Sequence, residues 1–67
     1  MKTERTKRIV REIDNALTMF GPLDPAQLVS KLGRRGILVS RHDVDYICRE
    51  KFTEATGYNT TTFKLND

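Results

Sequence analysis

The side chains best equipped for chemistry cluster within one short stretch: His42, Asp43, Asp45 and Cys48. His42 and Asp45 are three residues apart and would share a helix face, a spacing that metal sites use. Zinc takes about four ligands, however, and the chain holds a single histidine and a single cysteine. Cys48 also falls on an apolar stripe, where a thiol packs as an inert hydrophobe. As a nucleophile it would need a lowered pKa and a neighbouring base. No Ser/His/Asp relay can be assembled around one histidine whose acidic neighbours are its neighbours in sequence. The expectation is therefore no enzyme, no metal, no cofactor and no small-molecule substrate, with His42 a surface side chain.

A second chemistry is available at Gly33-Arg34-Arg35-Gly36. Two guanidinium groups on a short loop suit phosphate oxygens, which they engage in bidentate fashion. The loop lacks the spacing and Lys-Ser/Thr ending of a P-loop. A plain turn that keeps its charge in water is the other reading, and both stay open. The same pair of readings applies to Lys2, Arg5, Lys7, Arg8 and Arg11, with Glu4, Glu12 and Asp14 interspersed. Cations at a helix start oppose its dipole and cost up to about 1 kcal/mol in all, a small penalty that hints at an anionic partner.

The elements that must position these groups are legible from caps and periodicity. From about Thr3 to Phe20, the residues Ile9, Val10, Ile13, Ala16, Leu17 and Phe20 recur at three- and four-residue steps, one helical stripe. Gly21-Pro22 ends it. Asp24-Pro25-Ala26-Gln27 is a helix start: an acidic N-cap, proline at the first position, and a glutamine placed to reach back. Leu23 can staple onto Leu28, and Leu28, Val29 and Leu32 give the buried side of this helix. Gly33 stands where a left-handed residue would close it, near Leu32 or Gly33. Ile37-Leu38-Val39 is extended by propensity and needs a partner strand. Ser40-Arg41-His42-Asp43 starts a third helix, expected to run to about Ala55. Its inward stripe is Val44, Ile47, Cys48, Phe52 and Ala55. The opposite face carries Arg41, His42, Asp45, Tyr46, Arg49 and Thr53. Thr56-Gly57 breaks the helix, and Tyr58 to Leu65 then alternates as a strand, with Thr61, Phe63 and Leu65 on one face. This strand is expected to pair antiparallel with residues 37–39.

Size and charge bound the rest. Sixty-seven residues with 37% apolar content make one domain with a lean core. The longest strongly apolar run, Ile37-Leu38-Val39, is far short of a membrane span, and the charged N-terminus has no apolar segment after it as a signal peptide would. With its lone cysteine, the chain reads as a soluble cytoplasmic protein. The net charge is +3. Residues 1–20 carry five bases against three acids and residues 21–39 three against one, whereas 40–55 carry three against four. A modest positive field favours anionic partners, diluted by the acids.

Helix, helix, short extended segment, helix, then β structure resembles the winged helix-turn-helix family of DNA-binding domains, an α+β class with three helices and a small two-stranded antiparallel sheet. The resemblance rests on the Asp24 and Ser40 caps, the Gly33 break, the Ile37–Val39 segment and the terminal β stretch. It implies a helix at 40–55 that enters the major groove of double-stranded DNA, with Arg41, His42, Tyr46 and Arg49 facing bases and phosphates. Arg5, Arg8, Arg34 and Arg35 then add phosphate contacts, as in a small transcriptional or accessory regulator. The family usually carries a two-stranded wing after this helix. Only twelve residues follow Ala55, so a truncated wing is expected. Asp43, Asp45, Glu50 and Glu54 on the same helix depart from the pattern, because carboxylates repel phosphate. They favour the competing reading, a protein-interaction module that docks through this helix or through the last strand. A small footprint also favours a homodimer on a two-fold site.

Overall fold

The apolar stripe at the start of the chain winds into one long helix, α1, Lys2–Phe20. The computed structural model describes residues 2–56 and 61–66. After α1 come α2 (Pro25–Arg34), α3 (Arg41–Lys51) and two strands, β1 (Thr53–Thr56) and β2 (Thr61–Lys64). This is an α+β domain of three helices and a two-stranded antiparallel sheet, in a winged-helix-like arrangement.

Ile9, Ile13, Ala16 and Leu17 of α1 are buried, as the periodicity requires. Phe20 departs from the expected stripe. It is the last helical residue and lies 56% exposed, with the Lys31 ammonium 4.0 Å from its ring centre. Gly21 closes the helix at φ +82°, donating its N–H to the Leu17 carbonyl at 2.9 Å.

The capping box of α2 forms as its residues dictate. Asp24 accepts from the Gln27 N–H at 2.7 Å, and the Gln27 side chain accepts from the Asp24 N–H at 3.1 Å. Leu23 and Leu28 are both buried. The end of α2 corrects the sequence reading: Gly33 is helical, and the left-handed residue is Gly36, at φ +81°. Gly36 donates to the Gly33 carbonyl at 3.0 Å and Ile37 to the Leu32 carbonyl at 2.9 Å, a Schellman closure with Ile37 buried beside it. The arginines are therefore not both flanked by loop: Arg34 ends the helix and Arg35 caps it.

Residues 37–39 form no strand. The Schellman closure engages one end of this segment and the Ser40 cap follows the other, so no length remains for a ladder. It connects α2 to α3 with Ile37 buried, Val39 half-buried and Leu38 82% exposed. Ser40 accepts from the Asp43 N–H at 3.1 Å, as expected of the cap. The third helix then stops four residues short of its expected end. Phe52 turns extended (φ −129°, ψ 172°) after donating to the Cys48 carbonyl, and Thr53–Thr56, with its two β-favouring threonines, becomes β1. Ala55 and Thr53 thus leave the helix for the sheet.

That early stop supplies a second short strand, so the hairpin does not have to fit into the twelve residues after Ala55. β1 pairs with β2 in the register Thr53↔Lys64, Glu54↔Phe63, Ala55↔Thr62 and Thr56↔Thr61. The other edge of β2 meets Leu23, which exchanges both backbone hydrogen bonds with Phe63 at 3.1 and 2.8 Å. The true partners of the last strand are thus β1 and Leu23. Phe63, held from both edges, is fully buried. The expected strand residues Tyr58 to Thr60, and Gly57, lie outside the described residues. Asn66 fastens the sheet to α3: its amide donates to the Lys51 carbonyl at 2.8 Å, and its carbonyl oxygen accepts from the Thr53 hydroxyl at 2.6 Å.

The three helices and β2 meet in one core, which joins the α1 stripe to Leu23, Leu28, Leu32, Ile37, Val44, Cys48 and Phe63. Among the described residues no helix is long and apolar enough to cross a membrane.

Candidate nucleic-acid interface

Helix α3 buries Val44 and Cys48 and leaves its opposite face bare. Arg41, His42, Tyr46 and Arg49 are all exposed on it, Tyr46 at 62%. Four of the expected interface residues are thus brought together on one helix, His42, Tyr46 and Arg49 in steps of four and three with Arg41 beside His42 in the first turn.

Arg49 is not free. Its Nε donates to Asp45 Oδ2 at 2.9 Å and its Nη1 to Glu54 Oε1 at 3.1 Å. The hydrogen bond to Asp45, then the charges of Asp45 and Glu54, hold the guanidinium more firmly protonated than an ordinary arginine. It lies 5.9 Å from the centre of the Phe63 ring and links helix to sheet across the buried aromatic. The Asp45–Arg49 pair was legible as an i,i+4 spacing. Glu54 was not, because a helix continued to Ala55 would carry it elsewhere. With Glu50 also exposed, this face balances its cations with acids.

Arg5 sits at a seam. Its Nη2 donates to the Leu38 carbonyl at 2.7 Å, and it borders two grooves. One groove runs past Arg8, Gly36 and Leu38, and the other past Asp43, Tyr46 and Glu50. Beyond the seam the charge changes character. Lys7, Arg8 and Arg11 are exposed on the side of α1 away from Ile9 and Ile13. Arg34 and Arg35 are exposed at the end of α2. Arg35 reaches back to α1, its Nε 3.2 Å from Glu12 Oε1. The expected interface residues therefore fall into two groups: Arg41, His42, Tyr46 and Arg49 on α3, and Arg8, Arg34 and Arg35 along α1 and the α2 terminus, with Arg5 between them.

The metal-like cluster is dispersed. His42 points outward, Cys48 is fully buried, and Asp45 is engaged by Arg49. Among the described residues no three of His, Cys, Asp and Glu gather in a metal-binding geometry. Burial pushes the Cys48 thiol from 9.0 up to about 12, with the Asp45 charge adding to the effect. No protein-family model matches the chain, and neither a curated protein nor a solved structure does.

Proposed function

We propose that the protein binds double-stranded DNA, with the bare face of α3 in the major groove and the β1–β2 hairpin alongside, as a small transcriptional or accessory regulator. The observation that carries this reading is a capped, solvent-facing helix that presents Arg41, His42 and Tyr46 beside a hairpin. The major groove, about 12 Å wide, admits such a helix. Arg41 in the first turn of α3 and Arg5 at the seam suit phosphate oxygens, while His42 and Tyr46 suit base edges. Arg49, already shared between two carboxylates, orients the helix against the sheet and is a weaker phosphate ligand.

The protein is then a binding module and not an enzyme, and its buried free thiol suits the reducing cytoplasm. One copy offers a small footprint, so two copies on a two-fold site would supply specificity. The Asp45–Arg49–Glu54 pairing favours a second reading, in which the balanced charges of α3 meet a protein partner instead.

Salt separates the two. Fluorescence anisotropy of a labelled random duplex, at about 50 and 200 mM salt, is expected to show binding near the micromolar range that falls steeply at the higher salt. Absence of binding at both would overturn the DNA reading and leave α3 as a protein-docking surface.

A further inference from the structure

Two large apolar side chains end α1 largely uncovered. Met19 is 75% exposed and Phe20 56%, on the last turn before Gly21 closes the helix. Single exposed hydrophobes are common on any surface, so the pair alone signals nothing. Its position does. Both side chains border a groove of about 230 Å³ between α1 and α2, with the buried Ala16 and Leu32 in its lining.

The α2 wall of this groove is basic. Lys31 and Arg34 of α2 and Arg35 at its cap face one carboxylate, Glu12 of α1. Arg35 already engages Glu12, Nε to Oε1 at 3.2 Å, which leaves that acid mostly covered. Lys31 and Arg34 have no ion pair among the described residues. The Lys31 ammonium stands 4.0 Å from the centre of the Phe20 ring, so positive charge and bare apolar surface meet at one point. Neighbouring grooves of α1 differ. Beside Tyr46, the cations Arg5 and Lys51 meet the acids Asp43 and Glu50. The groove of Lys7, Arg11 and Lys51 includes Asp14, and its apolar lining is Val10. The groove from Arg5 to Arg11 is denser in charge, but its one exposed apolar side chain is Leu38.

A ligand for the α1–α2 groove must therefore supply apolar atoms and negative charge together. A phosphate backbone supplies only the charge and leaves Met19 and Phe20 unmatched. A single strand could stack a base on Phe20, but Lys31 holds one face of that ring, and among the described residues no second aromatic lines the groove. A protein segment with apolar side chains set among Asp and Glu supplies both.

We infer that this groove docks an acidic amphipathic segment of a partner protein, its apolar side chains against Met19 and Phe20 and its carboxylates on Lys31 and Arg34. The inference stands independently of the α3 reading. In a chain that also binds DNA through α3, it joins that partner to the duplex.

The probe is a synthetic peptide of about sixteen residues, Glu-rich with Leu at three- and four-residue steps, titrated into the ¹⁵N-labelled full chain. Backbone amide shifts are expected in residues 16–20 and 31–35. Met19→Ala with Phe20→Ala should weaken peptide binding about tenfold, as loss of an apolar anchor does, and leave duplex anisotropy within about twofold of the wild type. Lys31→Gln with Arg34→Gln should weaken the peptide by a similar factor, and circular dichroism confirms that each pair folds. No shifts in these segments at about 1 mM peptide, or shifts centred on α3 or the start of α1, overturn the inference. Equal binding of a peptide with Gln for Glu would leave the groove merely apolar, and equal binding with Ser for Leu merely basic; either overturns it. Oligothymidylate that moves the same amides at lower concentration than the peptide would make this a single-strand site and overturn it too. Duplex binding by the wild type is read separately, so its failure removes the α3 reading alone.

Discussion

The thiol of Cys48 is the group whose chemistry the fold alters most. It is fully buried among Val44, Leu28 and the other core residues, and its pKa rises from 9.0 to about 12. Above pH 9 the unfolded chain loses this proton while the native chain keeps it, so stability is expected to fall between about pH 9 and pH 12, with no contribution below. Urea unfolding across that range should show a steeper decline for the wild type than for Cys48→Ala. Cys48→Ser places a hydroxyl in an apolar site and should cost about 1–3 kcal/mol, read as a lower urea midpoint at unchanged slope. A neutral result would mean that the hydroxyl finds a partner there. The burial of Cys48 was readable from its place one turn after Val44. The doubled pairing of Arg49 was only half readable, because Glu54 reaches it from a strand that the sequence reading treated as helix.

At the scale of elements, the caps were the most legible feature. Asp24, Gln27 and Ser40 act locally, through side chains that bond the backbone within three residues. The glycine assignment failed because Gly33 and Gly36 both stand near the end of α2, and only the three-dimensional closure on Leu32 distinguishes them. The two give opposite expectations in thermal melts. Gly33→Ala sits in helix with open space around its Cβ and should stabilise by about 0.5–1 kcal/mol. Gly36→Ala must hold φ +81° and should destabilise by about 1–2 kcal/mol. If Gly33 were the closing residue the signs would be reversed. The end of α3 was hidden for a related reason. Phe52 and Ala55 continue a helical period, and what overrides it is tertiary pairing of Thr53–Thr56 with β2. Asn66 secures that choice by tying Lys51 to Thr53. Asn66→Ala should therefore speed amide exchange in β1 and β2 while leaving α1 and α2 protected.

For the whole molecule, the order of three helices followed by β structure was legible in the sequence, and the sheet partners were not. Pairing of Phe63 with Leu23 joins residues forty apart, and no local propensity encodes it. The division of the basic residues is of the same kind: a linear count puts Arg8, Arg34 and Arg35 in one inventory with Arg41 and Arg49, while the fold sets them on different elements with Arg5 at the seam between. The central claim, that the bare face of α3 meets DNA, is tested most directly by titrating ¹⁵N-labelled protein with a short duplex and following backbone amide shifts. The first shifts are expected from Arg41 to Arg49 and in the flanking hairpin. Shifts confined to α1 and the end of α2, with α3 unmoved to saturation, would contradict it.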